Sequence, residues 1–389
     1  MRAGYKVYDS DTHIRPSADT LEKYLSARVR ELVPDLESCK VPIARSVPGS
    51  ESPPRGFRLR SRAVGGWGAD APRMLGEAEP RQGHDGVSGV SGRFMGTKYP
   101  RPHGDDWDVD GRIHDMDEEG VDVQLLVNNG GPSGHENPAV NVEFMRAQHR
   151  YLDEFCSKYP HRLKSMIAVN ARHIEESVEE IRRWGRSAWA AGVYVNLPID
   201  YPLDHPDLHP VWQATNDAGL CYIHHSFSEG YPGYRDLWRN PFLGRTASHP
   251  WGAMRAMGAF FGAGLLDRYP DLRFAVLESG FGWIPFWAVR MEDQAHYMGY
   301  VAEGLQHSML EYTAGGRFFA SIVLHEGGKM VKMVSDFVGD HVLMFSTDYP
   351  HPETRFPSSV DLVLDWKEVN PDLMQKILWT NAVRAFGEP

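Results

Sequence analysis

The sequence is poor in cysteine: Cys39, Cys156 and Cys221 are the only 3 among 389 residues, and no two of them form a C-x-x-C pair. That excludes a disulfide framework and a thiolate zinc site. Long hydrophobic runs are missing, so no segment is expected to cross a bilayer, and residues 1–10 lack a signal-peptide layout. The expectation is a cytoplasmic protein with no membrane partner. Positive charge is not in excess, since 41 Lys and Arg stand against 52 Asp and Glu for a net charge of -11. A nucleic-acid partner calls for a basic patch or stripe and is therefore not expected. No Gly-rich dinucleotide turn follows the first apolar run, which argues against a doubly wound nucleotide-binding sheet.

What is present is enough apolar material for a sizeable core: 42% hydrophobic residues with a mean hydropathy of -0.44. Apolar runs at 6–10, 121–127, 163–169, 192–197, 220–224, 272–277, 318–323 and 342–345 read as strands. Helical periodicity fills the intervals at 140–158, 174–186, 206–218, 251–269, 283–298 and 329–338. A polar helical segment is expected over 17–36, and a helix over 111–119 stopped by Gly120. Terminal helices over 357–366 and 371–379 should pack outside. Strands alternating with helices imply right-handed crossovers and a parallel sheet, and eight of them imply closure into a (β/α)8 TIM barrel, a single domain spanning 1–389. Between residues 39 and 106 Gly, Pro, Arg and Ser dominate and periodicity is lost. This long insertion follows the first strand, so it should emerge at the catalytic face and cover it.

The chain is organised around residues 341–353, HVLMFSTDYPHPE, where an apolar strand runs into Thr347, Asp348 and His351. Its counterpart is KVYDSDTH at 6–13, a strand ending in Asp11 and His13, two apart and so on one face. Two strand ends so distant in sequence, each tipped with such groups, suggest that the first and last strands are neighbours. The other predicted strand ends carry Asn196, His224 and His225, Glu278, and His325 with Glu326. His and carboxylate without Cys suit a divalent first-row ion such as Zn, Mn or Fe. The spacing of Asp11 and His13 favours metal binding over turn capping, and an unpaired carboxylate at Glu278 would be costly as mere structure. His225 is read as pointing to the other side of its strand. Glu326 sits favourably in a helical first turn on electrostatic grounds alone. His351 is placed either to orient Asp348 or to cap the loop. Arg15 is placed to bind a substrate carboxylate bidentately or to pair with the covering loop. Most aromatics at helical spacing belong to the core, while Phe281 and Trp283 at a helix start are candidates for the wall of an apolar substrate pocket.

Four motifs, DSDTHIRP at 9–16, LCYIHHS at 220–226, YPDLRFAVLESGFGWIPFWAVRMED at 269–293 and FSTDYPHPE at 345–353, taken in this order, resemble the amidohydrolase superfamily. The resemblance is to its amidohydrolase-related branch, which includes metal-dependent non-oxidative decarboxylases. The resemblance implies metal ligands Asp11 and His13 on the first strand, His224 on the fifth, Glu278 where hydrolytic members carry His on the sixth, and Asp348 on the eighth. It implies a proton-handling role for Asp348, with Glu278 and His351 beside it. On the fourth strand, Asn196 stands where two-metal hydrolases use a carboxylated Lys. His225, His249, His325 and Glu326 stand as further candidates, for a second ion or as donors behind the first ligands.

The implied function is decarboxylation or hydrolysis of a cyclic organic acid with one or two bound ions. The alternative is O2-dependent hydroxylation of a hydrophobic polycyclic (terpenoid) substrate in secondary metabolism. Non-haem di-iron monooxygenases acting on diterpenoids occur within this superfamily, and three carboxylates with several His suit iron. A metal-free scaffold is the third reading, and the joint presence of His13, His224 and Asp348 argues against it. The expected partner is a small molecule, and the resemblance implies a homodimer.

Overall fold

The computed structural model of the chain describes residues 1–42, 55–57, 104–105, 107–128, 135, 137–197, 201–225, 241–351 and 354–389. Ten strands occur among them: β1 Tyr8–His13, β2 Lys40–Pro42, β3 Arg55–Phe57, β4 Val123–Val127, β5 Leu163–Asn170, β6 Ala190–Asn196, β7 Cys221–His225, β8 Arg273–Leu277, β9 Phe318–Ser321 and β10 Leu343–Met344. Eight of these form one parallel sheet in the order β1-β4-β5-β6-β7-β8-β9-β10. The sheet closes on itself just beyond β10, where Thr12 bridges Tyr349 in parallel and His13 N–H donates to the Tyr349 carbonyl at 2.6 Å. The expected barrel and the neighbouring first and last strands are both observed.

Alternation along each strand sorts the core into two shells. One row points into the barrel: Tyr8, Val123, Leu125, Val127, Met166, Ala168, Cys221, Ile223, Ala275, Leu277, Phe319 and Met344 pack there together. The opposite row, including Val7, Leu126, Ile167, Val193, Tyr222, Phe274 and Val276, packs against the helices. The outer layer is rich in rings. Tyr222 stacks beside the Phe260 and Phe274 pair, at 5.5 Å from each, with Trp212 edge-on at 4.8 Å. Strands buried on both faces explain why the sequence shows continuous apolar runs rather than a polar alternation.

The helices mostly follow the expected periodicity. Val109–Glu119 starts at the Asp108 side chain, which accepts from the Asp110 and Gly111 amides, and stops at Gly120 with φ 85°; only a residue without a Cβ adopts that conformation freely. The segment expected as one helix over 17–36 is instead two short helices, Ala18–Glu22 and Ala27–Leu32, and a 3-10 turn. Ser17 and Ser26 each hold the extended backbone of a helix start, and the second of these starts divides the segment. The helix expected over 251–269 runs Pro241–Gly262 and is cut from Leu265–Arg268 by Gly264 at φ 62°. The covering role expected for 39–106 falls mostly outside the described residues. Its described parts pair β2 with β3 antiparallel, pinned by Lys40 2.9 Å from Asp19 and by Arg55 2.7 Å from the same carboxylate. Among the described residues no helix is long and apolar enough to cross a membrane.

Candidate metal centre

The site begins with a local irregularity in β1. Tyr8 pairs with Val123 and Asp9 with Gln124, but Thr12 pairs with Leu126 and His13 with Val127. Three steps along β1 therefore match two along β4, which is a β-bulge. Tyr8 points into the barrel, so strict alternation would aim Asp11 and His13 at the helices. The extra residue reverses the parity and brings both inside, next to the inward-facing Val127.

Two further carboxylates are placed by unusual backbone. Leu277 faces inward, so an extended Glu278 would face out; its φ of 49° turns it back, and Asp348 has φ 61°. Side chains with a Cβ occupy this region at a cost of about 1–3 kcal/mol, and such strain clusters at working sites. Below Asp348, the fully buried Asp9 accepts from Thr347 N–H at 3.0 Å and from Thr347 Oγ1 at 2.5 Å, and the Asp348 amide donates to the Asp11 carbonyl at 3.0 Å.

The result is a compact set of nitrogen and oxygen donors. Asp11 Oδ1 lies 3.5 Å from His225 Nε2 and 3.8 Å from His13 Nε2. His13 Nε2 lies 3.0 Å from Asp348 Oδ1, and His225 Nε2 3.1 Å from Glu278 Oε2. His351 Nδ1 is 2.8 Å from Asp348 Oδ1, with its ring stacked on His13 at 4.0 Å. Two overlapping groups have the spacing of metal ligands: Asp11, His13 and His225, and His13, Glu278, Asp348 and His351. Both oxygens of Asp11, His13 Nε2 and Asp348 Oδ2 are buried without a hydrogen-bond partner among the described residues. Leaving such groups unmatched is costly, and donors about 3–4 Å apart suit a first-row ion bound at roughly 2.0–2.2 Å. The residues fit a divalent cation.

Electrostatics agree with this geometry. Burial disfavours the charged imidazole of His13, but Asp348 and Glu278 outweigh it and raise its pKa to about 8. His225 is likewise opposed by burial, yet Asp11 and Glu278 push it well above the usual histidine value. Burial raises Asp11, and burial with the Glu278 charge raises Asp348 to about 6. Glu278 goes the other way: burial is overcome by His13 and His225, which hold it well below the ordinary value. The site is poised to hold positive charge.

The structure corrects several sequence expectations. His225, not His224, belongs to the donor set. Cys221 and Ile223 face the barrel interior, so His225 shares their side, while His224 falls on the side of Tyr222, toward the helices. Burial and the neighbouring His225 lower the His224 pKa to about 3. Phe281, expected as a pocket wall, is a fully buried core residue outside the cavity lining, and Arg15, expected at a substrate carboxylate, is exposed and also outside that lining. Glu326 and His325 line the cavity but belong to neither donor group. Glu326 accepts from the Phe281 and Gly282 amides at 3.2 and 2.7 Å, which fixes the turn after Glu278. His249 Nδ1 lies 2.8 Å from the Glu278 carbonyl oxygen and 3.8 Å from its carboxylate.

Of the donors, the carboxylates Asp11, Glu278 and Asp348 line a cavity of about 600 Å³, whose wall combines apolar Pro250, Met254, Trp283, Ile322, Val323 and Leu324 with polar side chains such as Thr246 and His249. Of the apolar residues, sequence reasoning finds Trp283 but not the other five. It also misses Asp9, for which the D-x-D spacing was the available signal.

Residues 11–387 match the amidohydrolase family. The 2-amino-3-carboxymuconate-6-semialdehyde decarboxylase of Dictyostelium discoideum is 22% identical over 285 residues, covering 72% of this chain and 77% of that protein. Two solved structures share the fold. One is a 5-carboxyvanillate decarboxylase of Novosphingobium aromaticivorans complexed with manganese and 4-hydroxy-3-methoxy-5-nitrobenzoic acid, with TM-score 0.67, 16% identity and coverage of 99% of this chain and 97% of that one. The other is a 2,6-dihydroxybenzoate decarboxylase from Rhizobium, with TM-score 0.58, 20% identity and coverage of 71% and 87%.

Proposed function

The chain belongs to the amidohydrolase family, and from that premise we propose that it is a metal-dependent decarboxylase of a cyclic, unsaturated carboxylic acid. The observation that carries the reading is the donor set of Asp11, His13, His225, Glu278 and Asp348, whose three carboxylates line a cavity walled in part by apolar Pro250, Met254, Trp283 and Leu324. The similar proteins named above are decarboxylases of aromatic or unsaturated acids, and one of them contains manganese. Asp11, His13, His225 and Asp348 would hold the ion, with Glu278 and His351 as the remaining donors. The donor set suits Mn, Zn or Fe, as one ion or two. When bound, the ion supplies positive charge that draws a substrate carboxylate and an adjacent oxygen into the cavity.

The protein's own residues account for the rest of the reaction. The apolar wall formed by Pro250, Met254, Trp283 and Leu324 holds the ring and excludes water, favouring loss of a charged carboxylate as neutral CO2. Asp348 delivers a proton to the ring carbon that carried the carboxylate as the C–C bond breaks and its electron pair stays on that carbon. His351, 2.8 Å from Asp348 Oδ1, fixes which oxygen is available for this transfer. Charge and mass balance with one proton taken up, without an oxidant.

The test combines elemental analysis with a product assay. Protein carrying Mn or Zn should release CO2 from hydroxylated aromatic carboxylic acids without consuming oxygen. Asp348→Asn should lower turnover by ~10²–10⁴-fold, the range for loss of a general acid, while unfolding cooperatively. Close to two Fe per chain, with oxygen uptake and a hydroxylated product, would overturn decarboxylation in favour of the oxygenase reading.

A further inference from the structure

The strongest feature outside the cavity is a buried charge on the outer side of the barrel seam. Arg112, on the helix Val109–Glu119, is 3% exposed. Its guanidinium donates to three acceptors: Gln124 Oε1 at 2.8 Å, the His13 carbonyl at 2.9 Å and Thr12 Oγ1 at 2.9 Å. It also lies 5.3 Å from the centre of the Tyr349 ring. Thr12 Oγ1 passes the connection on by donating to the Leu125 carbonyl at 2.9 Å. The Tyr349 carbonyl in turn accepts the His13 amide at 2.6 Å.

These contacts coincide with the bulge. Thr12 and His13 are the residues at which β1 regains register with β4, and Thr12 with Tyr349 forms the bridge that closes the barrel. One guanidinium therefore touches both strand ends that carry donors, Asp11 and His13 on one side and Asp348 on the other. A bulge left to itself can slip by one residue, and a slip of one residue turns every side chain beyond it to the opposite face. A planar fork bonded at once to a backbone carbonyl, a hydroxyl and a neighbouring strand resists that slip better than a single-point cation.

We propose that Arg112 is a positioning residue for the metal centre: it locks the β1 bulge in the register that aims Asp11 and His13 into the barrel. This role presupposes the metal centre proposed above. Its removal should act on metal affinity before it acts on the fold. Partners that orient metal ligands typically change affinity by about 10–100-fold when lost.

The experiment is calorimetric titration of metal-free protein with Mn²⁺, and separately with Zn²⁺, at a temperature well below unfolding, for the wild type, Arg112→Lys and Arg112→Met. Thermal unfolding is recorded with and without the ion. The expected result is affinity weakened ~10–100-fold in R112M and less in R112K, with a smaller metal-induced rise in Tm for both. A purely structural role predicts a lower Tm for the metal-free variants but unchanged affinity of the folded protein, and that result overturns the proposal. Should R112M not fold, R112K decides, because it retains the charge but loses the fork, and unchanged affinity there overturns the proposal equally. If the wild type binds neither ion, the metal centre itself falls and this role falls with it.

Discussion

His224 and His225 are neighbours on one strand, yet their imidazoles are driven in opposite directions. Burial lowers His224 to about 3, so it stays neutral on the helix side of the barrel wall. His225 faces Asp11 and Glu278, which hold its proton well above the usual range until something positive takes the proton's place. A divalent ion competes for the lone pair that the proton occupies, so metal binding at His225 should release protons. His225→Asn should therefore remove most bound metal, measured as ions per folded chain, whereas His224→Gln should lower stability and leave stoichiometry at the wild-type value. The opposite pattern would restore His224 as the ligand.

At the scale of elements, β6 leaves no room for a side chain where it meets β7, the strand that carries His225. Gly192 on β6 packs so tightly against β7 that a Cβ there would lie 2.5 Å from Ile223 Cδ1 and 2.7 Å from the Cys221 carbonyl oxygen. Both neighbours are on the strand that carries His225, and the second is backbone, so a methyl group cannot be absorbed by a rotamer change. Gly192→Ala should destabilise the fold by about 1–3 kcal/mol, the usual cost of overpacking. Urea unfolding of both proteins measures it, and an unchanged midpoint would show that β7 yields freely.

For the whole molecule, the centre gathers three acidic side chains, Asp11, Glu278 and Asp348, inside a closed barrel. In the metal-free protein, like charges are relieved by protons on His13 and His225 and by the raised pKa values of Asp11 and Asp348, while Glu278 is held in its charged form. An ion held by these donors would link β1, β7, the residue after β8 and the turn after β10, and so tie the first strand to the last. Chelation should lower the Tm by several degrees, with recovery on adding back Mn²⁺ or Zn²⁺. An unaltered melting curve after verified metal removal would mean that the barrel closes without help from the site.

The order and kind of the barrel elements could be read from the sequence, because apolar runs and helical periodicity are properties of contiguous residues. Asp11, His13, Glu278, Asp348 and His351 could be named as candidates for one cluster for a similar reason: each stands at or just beyond the end of an apolar run, and barrel strands end on one face. Which way a side chain points at a strand end is a different matter. The bulge that turns Asp11 and His13 inward is a register between β1 and β4, the turn that follows Glu278 is held by Glu326 through the Phe281 and Gly282 amides, and the choice of His225 over His224 follows from which residues of β7 face the axis. Arg112 acts on residues about a hundred positions away along the chain. Parity, register and long-range hydrogen bonds depend on partners distant in sequence, and those partners meet only when the barrel closes.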